Sequence, residues 1–165
     1  MASMVGRPKI SKMSNRKIEK LLPSLQDTKY NIASPRALEY NCIAWAAGET
    51  VTCWWPDRLN IGYWPPGVPR EETLEAFIRA FETLGYTTCD VAEYRYEQGF
   101  EKIAIYADSS GKPTHASRQL RSGRWTSKLG SLEDIEYEFD SISGSQYGSV
   151  AVIMKRPKQD VNEWA

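Results

Sequence analysis

PTHASRQLRSGRWTSKL, residues 113–129, is the stretch whose reading decides the fold. Two runs, 113–120 and 124–129, flank Ser122–Gly123. Short runs of strand-forming residues around a Gly-containing turn signal a β-hairpin. A two-residue loop pairs Arg121 with Arg124, Leu120 with Trp125, Gln119 with Thr126 and Ser117 with Lys128. That register puts His115, Ser117, Gln119, Thr126 and Lys128 on one face. Ala116, Leu120, Trp125, Ser127 and Leu129 fall on the other, which reads as core. His115, the one histidine of the chain, is then expected on the more polar face, a setting suited to an imidazole that moves a proton.

Working outward, FEKIAIYA (100–107) reads as a central strand and DSSGK (108–112) as a turn. Tyr86–Val91 is a short strand candidate, and SVAVIM (149–154) is a last apolar strand closed by Pro157. Residues 131–147 read as polar with turns. A helix is expected from Arg70, after Pro69, with Leu74, Phe77, Ile78, Phe81 and Leu84 on one stripe and Gly85 as its stop. Residues 50–69, rich in Pro, Gly and Trp, read as a packed loop. NRKIEKLL (15–22) forms a short amphipathic helix ended by Pro23, and 24–40 is irregular. The expected fold class is α+β, with N-terminal helices segregated to one side of an antiparallel sheet. The expected organisation is a flexible leader (1–14), a single domain (15–157) and a loose tail (158–165).

The 165 residues suit one domain with a real core. Lys plus Arg (21) balance Asp plus Glu (21), so the chain carries neither a basic footprint for nucleic acid nor an acidic tail. No apolar run approaches the ~20 residues a membrane span needs. The first residues lack the apolar core of a secretory signal, so a cytoplasmic location is expected, and delivery by a specialised secretion system remains compatible. Three cysteines, an odd number, argue against a disulfide framework. With no CxxC pair and one histidine, no metal site is expected.

NCIAWAAGE (41–49) carries the chemistry. Asn41 caps a short, nearly all-apolar helix, and Gly48 stops it. Cys42 then occupies the first turn, where free N–H groups and the helix dipole favour a thiolate. A thiolate needs a base, and His115 is the imidazole available. Backbone N–H groups of the first turn would help hold an oxyanion. Asn41, Trp45, Ser117, Gln119, Thr126 and Lys128 are the candidates for orienting or pocket roles; the third catalytic role stays open, with Thr126 and Lys128 across the hairpin and Glu101 on the other neighbouring strand available. Against this stands a plainer reading, in which Cys42 is a packing residue and His115 a hydrogen-bonded scaffold residue. Cys53 and Cys89 start no helix and read as structural.

The stretches YNCIAWAAGE, CWWPD, YWPPGVP, GFEKIAIYAD, PTHASRQLRSGRWTSKLG and EDIEYEF resemble those of a group of small bacterial proteins, over about residues 38–156. In that group EDIE is often followed by histidine, where this chain has Tyr137. More widely, the chain resembles papain-like cysteine hydrolases, including NlpC/P60-type amidopeptidases. The resemblance implies a papain-like fold, Cys42 as nucleophile and His115 as general base. It implies cleavage of an amide bond through a thioester, with no cofactor and no metal. The substrate would be a peptide, a protein or a peptidoglycan stem, with neither nucleic acid nor membrane as partner. Papain-like enzymes often carry an oxyanion glutamine just upstream; position 36 here is Arg, and Gln26 is the nearby glutamine. Two other readings use the same residues differently. One is a non-catalytic binding module with a Trp/Pro-rich cleft at 54–67. The other is a toxin or effector using the pair as deamidase or acyltransferase.

Overall fold

The computed structural model describes residues 12–28, 30–34, 40–129, 134–144 and 146–158. Most of the expected leader (residues 1–11) and of the expected tail (159–165) lies outside the described residues.

Seven strands form one antiparallel sheet: β1 (Asn31–Ser34), β2 (Thr87–Cys89), β3 (Phe100–Ala107), β4 (Pro113–Gln119), β5 (Trp125–Lys128), β6 (Asp134–Tyr137) and β7 (Ser149–Pro157). Their order is β1-β6-β5-β4-β3-β7-β2. Among the described residues three α-helices accompany it: α1 (Lys12–Leu21), α2 (Cys42–Ala47) and α3 (Leu74–Glu82). The architecture is α+β.

β3 explains the layering. Every residue from Lys102 to Ala107 is buried, so both faces of the strand are covered. On one face Ile103 and Ile105 join Ala116 and Met154 beneath α2 and α3. On the other, Ala104, Tyr106 and Ile153 join Trp125, Ile135 and Tyr137. Ile18 and Leu22, at the end of α1, and Leu25, in the short 3-10 helix Pro23–Asp27, pack in this second cluster. The helices are therefore not segregated to one side, as the sequence suggests. Alternate residues of β3 are apolar in both phases, and each phase recruits its own helix. Lys102 lies in the buried run without an orphaned charge. Its ammonium donates to the carbonyls of Glu93 (2.5 Å) and Arg95 (2.9 Å) and meets Glu97 at 3.3 Å.

α3 starts later than expected, at Leu74, because Thr73 caps it by accepting from Ala76 N. Phe77 and Phe81 are fully buried, and Trp55 and Trp64 pack on Phe77 at 5.4 and 5.1 Å. The 50–69 segment is indeed a packed loop. The Asp57 carboxylate accepts from Ile61 N and Gly62 N, and Arg70 donates to the carbonyls of Asp57 and Gly62. β1 and β6 fall in stretches expected to be irregular. Each is four residues long, too short for an alternation to stand out, and they pair with each other.

The expected hairpin forms, one residue out of register. Arg118 pairs with Thr126 and Gln119 with Trp125. Leu120 N donates to Arg124 O, and Gly123 N to Leu120 O, so the loop is Arg121–Gly123. Gly123 takes φ 89°, the left-handed conformation that turns a three-residue loop into a bulged hairpin. A one-residue slip exchanges faces. His115 and Ser117 therefore share their face with Trp125 and Ser127, while Thr126 and Lys128 go with Ala116 and Arg118.

Tyr147, beside His115, is carried by a tight loop in which Gly144 and Gly148 exchange backbone hydrogen bonds. Gly148 has φ 75°, and a Cβ there would overlap the Ala107 carbonyl. Gly111 also has positive φ, and a Cβ there would meet nothing within 4 Å. Gly148→Ala should thus lose about 3 kcal/mol and Gly111→Ala only about 1 kcal/mol, read from urea midpoints. Equal losses would contradict the close approach.

Candidate active site

Asn41 initiates α2 as expected. Its Oδ1 accepts from Ala44 N (3.0 Å) and from Trp54 N (3.1 Å), and its Nδ2 donates to Trp54 O (2.7 Å). One side chain thus caps the helix and ties it to the Trp loop. Asn41 is a positioning residue rather than a pocket group. Gly48, at φ 88°, ends the helix.

Cys42 stands at the helix start with 8% exposure. Its sulfur receives backbone N–H groups from Ala116 and Ile43, and Lys128 lies within electrostatic reach. Those interactions favour a thiolate, but desolvation outweighs them and pushes the thiol up to about 11. The low-pKa thiolate expected from the helix dipole is not the resting state: α2 is only six residues long, and its start is buried.

His115 lies on β4, directly before the strand residue that holds the sulfur. Its ring stacks on Tyr147 at 4.0 Å and meets Tyr106 edge-on at 5.5 Å. It is 0% exposed. Neither ring nitrogen has a hydrogen-bond partner among the described residues, so no thiol–imidazole hydrogen bond is formed. Burial pushes the imidazole down to about 3. The expected polar setting is replaced by an aromatic one, a consequence of the slipped register.

The other candidates separate by face. Ser117 is buried near Tyr106 and Tyr137, on the His115 side. Gln119 donates to Tyr94 O and Gly123 O, so it braces loops. Thr126 donates to Ile135 O at 2.7 Å. Lys128 is fully buried, sits over the Tyr40 ring at 5.2 Å and is the cross-strand neighbour of Asp134, which accepts from Tyr40 Oη at 2.6 Å. Trp45 stacks on Tyr40, with the Arg118 guanidinium 4.2 Å from its ring. Thr126 and Lys128 therefore cannot orient His115 across the hairpin.

Sequence reasoning missed the tyrosines. Tyr137 is fully buried, donates to Ser127 Oγ at 2.9 Å and lies within electrostatic reach of Cys42; burial raises it to about 12. Tyr147 is raised by burial and also feels Cys42. Thr114 Oγ1 donates to the Tyr147 carbonyl. The alternation of EDIEY would have placed Tyr137 inside, had its strand been recognised. Cys53 and Cys89 are half-buried and, like Cys42, form no disulfide.

The sequence profile described as Domain of unknown function (DUF7689) matches residues 31–155, which includes the Cys42 helix and six of the seven strands in full. The chain belongs to the DUF7689 family. No curated protein matches it, and no solved structure matches it. The DUF7689 region ends inside β7, so it takes in Cys42, His115, Tyr137 and Tyr147 together. Among the described residues, no helix is long and apolar enough to cross a membrane.

The neutral buried ring has a consequence for stability. Its folded pKa lies below the ordinary 6.5, so on acidification the unfolded chain takes up the proton first. This contribution is fully present above 6.5 and is lost as pH falls towards 3. Between about pH 7.5 and pH 5 the protein should lose roughly 2 kcal/mol through this group. His115→Phe, which keeps the ring stack without titrating, should flatten that part of the pH profile. An unchanged slope in urea titrations would show that the imidazole is not held neutral.

Proposed function

We propose that the chain is a papain-like cysteine hydrolase that cleaves an amide bond, with Cys42 as nucleophile and His115 as general base, in a closed resting state. One observation carries the reading. A fully buried imidazole with neither nitrogen hydrogen-bonded sits next to the amide that holds a helix-start sulfur. Leaving such a group unsatisfied costs about 1–3 kcal/mol, and a scaffold gains nothing from it. A helix-start cysteine packed against an antiparallel sheet, with the histidine on a central strand, supports the papain-like arrangement.

At rest the proton stays on sulfur, because burial raises the thiol and lowers the imidazole. At rest the ring lies with the aromatic cluster and the sulfur with α2, so attack requires a substrate-induced rearrangement of β4 that turns the ring to the sulfur. The thiol proton then passes to the imidazole as sulfur adds to the carbonyl carbon. The amide N–H groups of Ala116 and Ile43, already directed at sulfur, support the developing charge. The imidazolium protonates the leaving amine, and water hydrolyses the thioester. Peptides and peptidoglycan stems are the substrate classes proposed, with neither nucleic acid nor membrane as partner.

A non-catalytic binding module is the second reading, favoured by the low exposure of Cys42. Trp54 and Trp64 of the Trp/Pro-rich loop are buried core residues, and beside them an open cleft of about 490 Å³, lined by Cys53, Ile61, Gly62, Tyr63, Trp64 and Arg70, supports this reading.

The test uses the intact protein with muropeptides and with a peptide mixture, following new amines. Cys42→Ala should lower turnover at least ~100-fold and His115→Phe by a similar factor. Iodoacetamide at neutral pH should label Cys42 slowly without substrate and faster with it. Turnover retained by Cys42→Ala would overturn the proposal. Labelling that stays slow with every mixture, with no amine released, would favour the binding module.

A further inference from the structure

Lys128 is a fully buried cation that the proposed reaction does not use. Taking an ammonium out of water is costly unless its charge is compensated. Asp134 stands across from it on β6 and is buried too. Tyr40 Oη donates to the Asp134 carboxylate at 2.6 Å, and the Lys128 ammonium lies 5.2 Å from the centre of the Tyr40 ring. That ring stacks on Trp45 at 5.7 Å. Tyr40 precedes Cys42 by two residues and Trp45 follows it by three, so this cluster brackets the cysteine.

Strand geometry brings Lys128 and the sulfur to one place. Arg118 pairs with Thr126, and carrying that register two residues further would set Ala116 opposite Lys128, both on the face that α2 covers. Among the described residues the ladder does not continue there. The Ala116 N–H points at the Cys42 sulfur instead. The sulfur therefore fills the mouth where β4 and β5 part, and α2 packs on both strands. Lys128 forms the other lip of that mouth. His115 is on the opposite face, with Tyr106 and Tyr147.

We propose that Lys128 is a positioning residue that holds a fixed positive charge beside the Cys42 sulfur, with Asp134 and Tyr40 anchoring its ammonium. A cation there stabilises the thiolate over the thiol and favours an approaching reagent that carries negative charge. The Lys128 charge acts on Cys42 in the thiolate direction, as do the amides of Ala116 and Ile43. Tyr137 and Tyr147 also lie within electrostatic reach of the sulfur, and burial raises both phenols, so neither carries an opposing charge at neutral pH. Asp134 offsets part of the ammonium's charge, so the expected effect on sulfur is moderate. The inference needs Cys42 only as a thiol and goes beyond the hydrolase reading.

Competitive alkylation of the intact protein near neutral pH tests it. Iodoacetate is anionic and iodoacetamide neutral, and both need the same access to sulfur. The ratio of their rates at Cys42, followed by peptide mass spectrometry, therefore cancels a change in opening and reads the local charge. Lys128→Met should lower that ratio about 5-fold. Lys128→Arg, which keeps the charge, should hold it within about 2-fold of the parent. Should Lys128→Met melt early, Lys128→Met combined with Asp134→Asn removes both charges, leaves no buried carboxylate without its cation, and should still lower the ratio about 3-fold. A ratio left at the parent value by the folded uncharged variant would overturn the proposal, and so would an equal fall in Lys128→Arg. Turnover does not enter this ratio, so failure of the hydrolase reading leaves it standing, and an unchanged ratio leaves that reading to its own test.

Discussion

Two backbone hydrogen bonds, Leu120 N to Arg124 O and Gly123 N to Leu120 O, close the turn on which the candidate site depends. They make the loop three residues long, and that length assigns every side chain of β4 and β5 to a face. His115, Ser117, Trp125 and Ser127 go to the aromatic cluster. Ala116, Arg118, Thr126 and Lys128 go to the side covered by α2. Beyond Arg118–Thr126, β4 and β5 do not pair among the described residues. The Ala116 amide is thereby available to Cys42, and the start of α2 packs against β4.

Burial then sets the chemistry. Water would stabilise both charged forms, thiolate and imidazolium, and the interior stabilises neither. Local donors partly favour the thiolate, yet desolvation outweighs them. The imidazole has no compensating partner at all among the described residues. The same packing that stabilises the fold holds the thiol and the imidazole neutral.

Much of the fold was legible in the chain. Asn41 and Gly48 bracket α2 because a cap side chain and a left-handed glycine act within one or two turns. The stripe of Phe77 and Phe81 revealed α3, and the apolar runs revealed β3 and β7. What escaped were β1 and β6, whose four residues each carry little pattern, and the register of the hairpin, where Ser122–Gly123 reads equally well as the whole loop or as its last two residues. Of the candidate site, Cys42 at a helix start and His115 on a strand were legible. The tyrosines were not, since Tyr147 reaches His115 from a loop far along the chain and Tyr137 reaches Ser127 and Ser117 from a strand.

By itself the sequence determined the local elements: caps, stops, the α3 stripe and the longer strands of the second half, with one imidazole in the chain. These follow from interactions between near neighbours, so short stretches contain them. Tertiary structure alone decided which face His115 occupies, that helices cover both sides of the sheet, and that sulfur and ring are kept dry and neutral. Those outcomes depend on strand register and on residues brought together across the sheet, and burial is a property of the whole packing that no single segment carries.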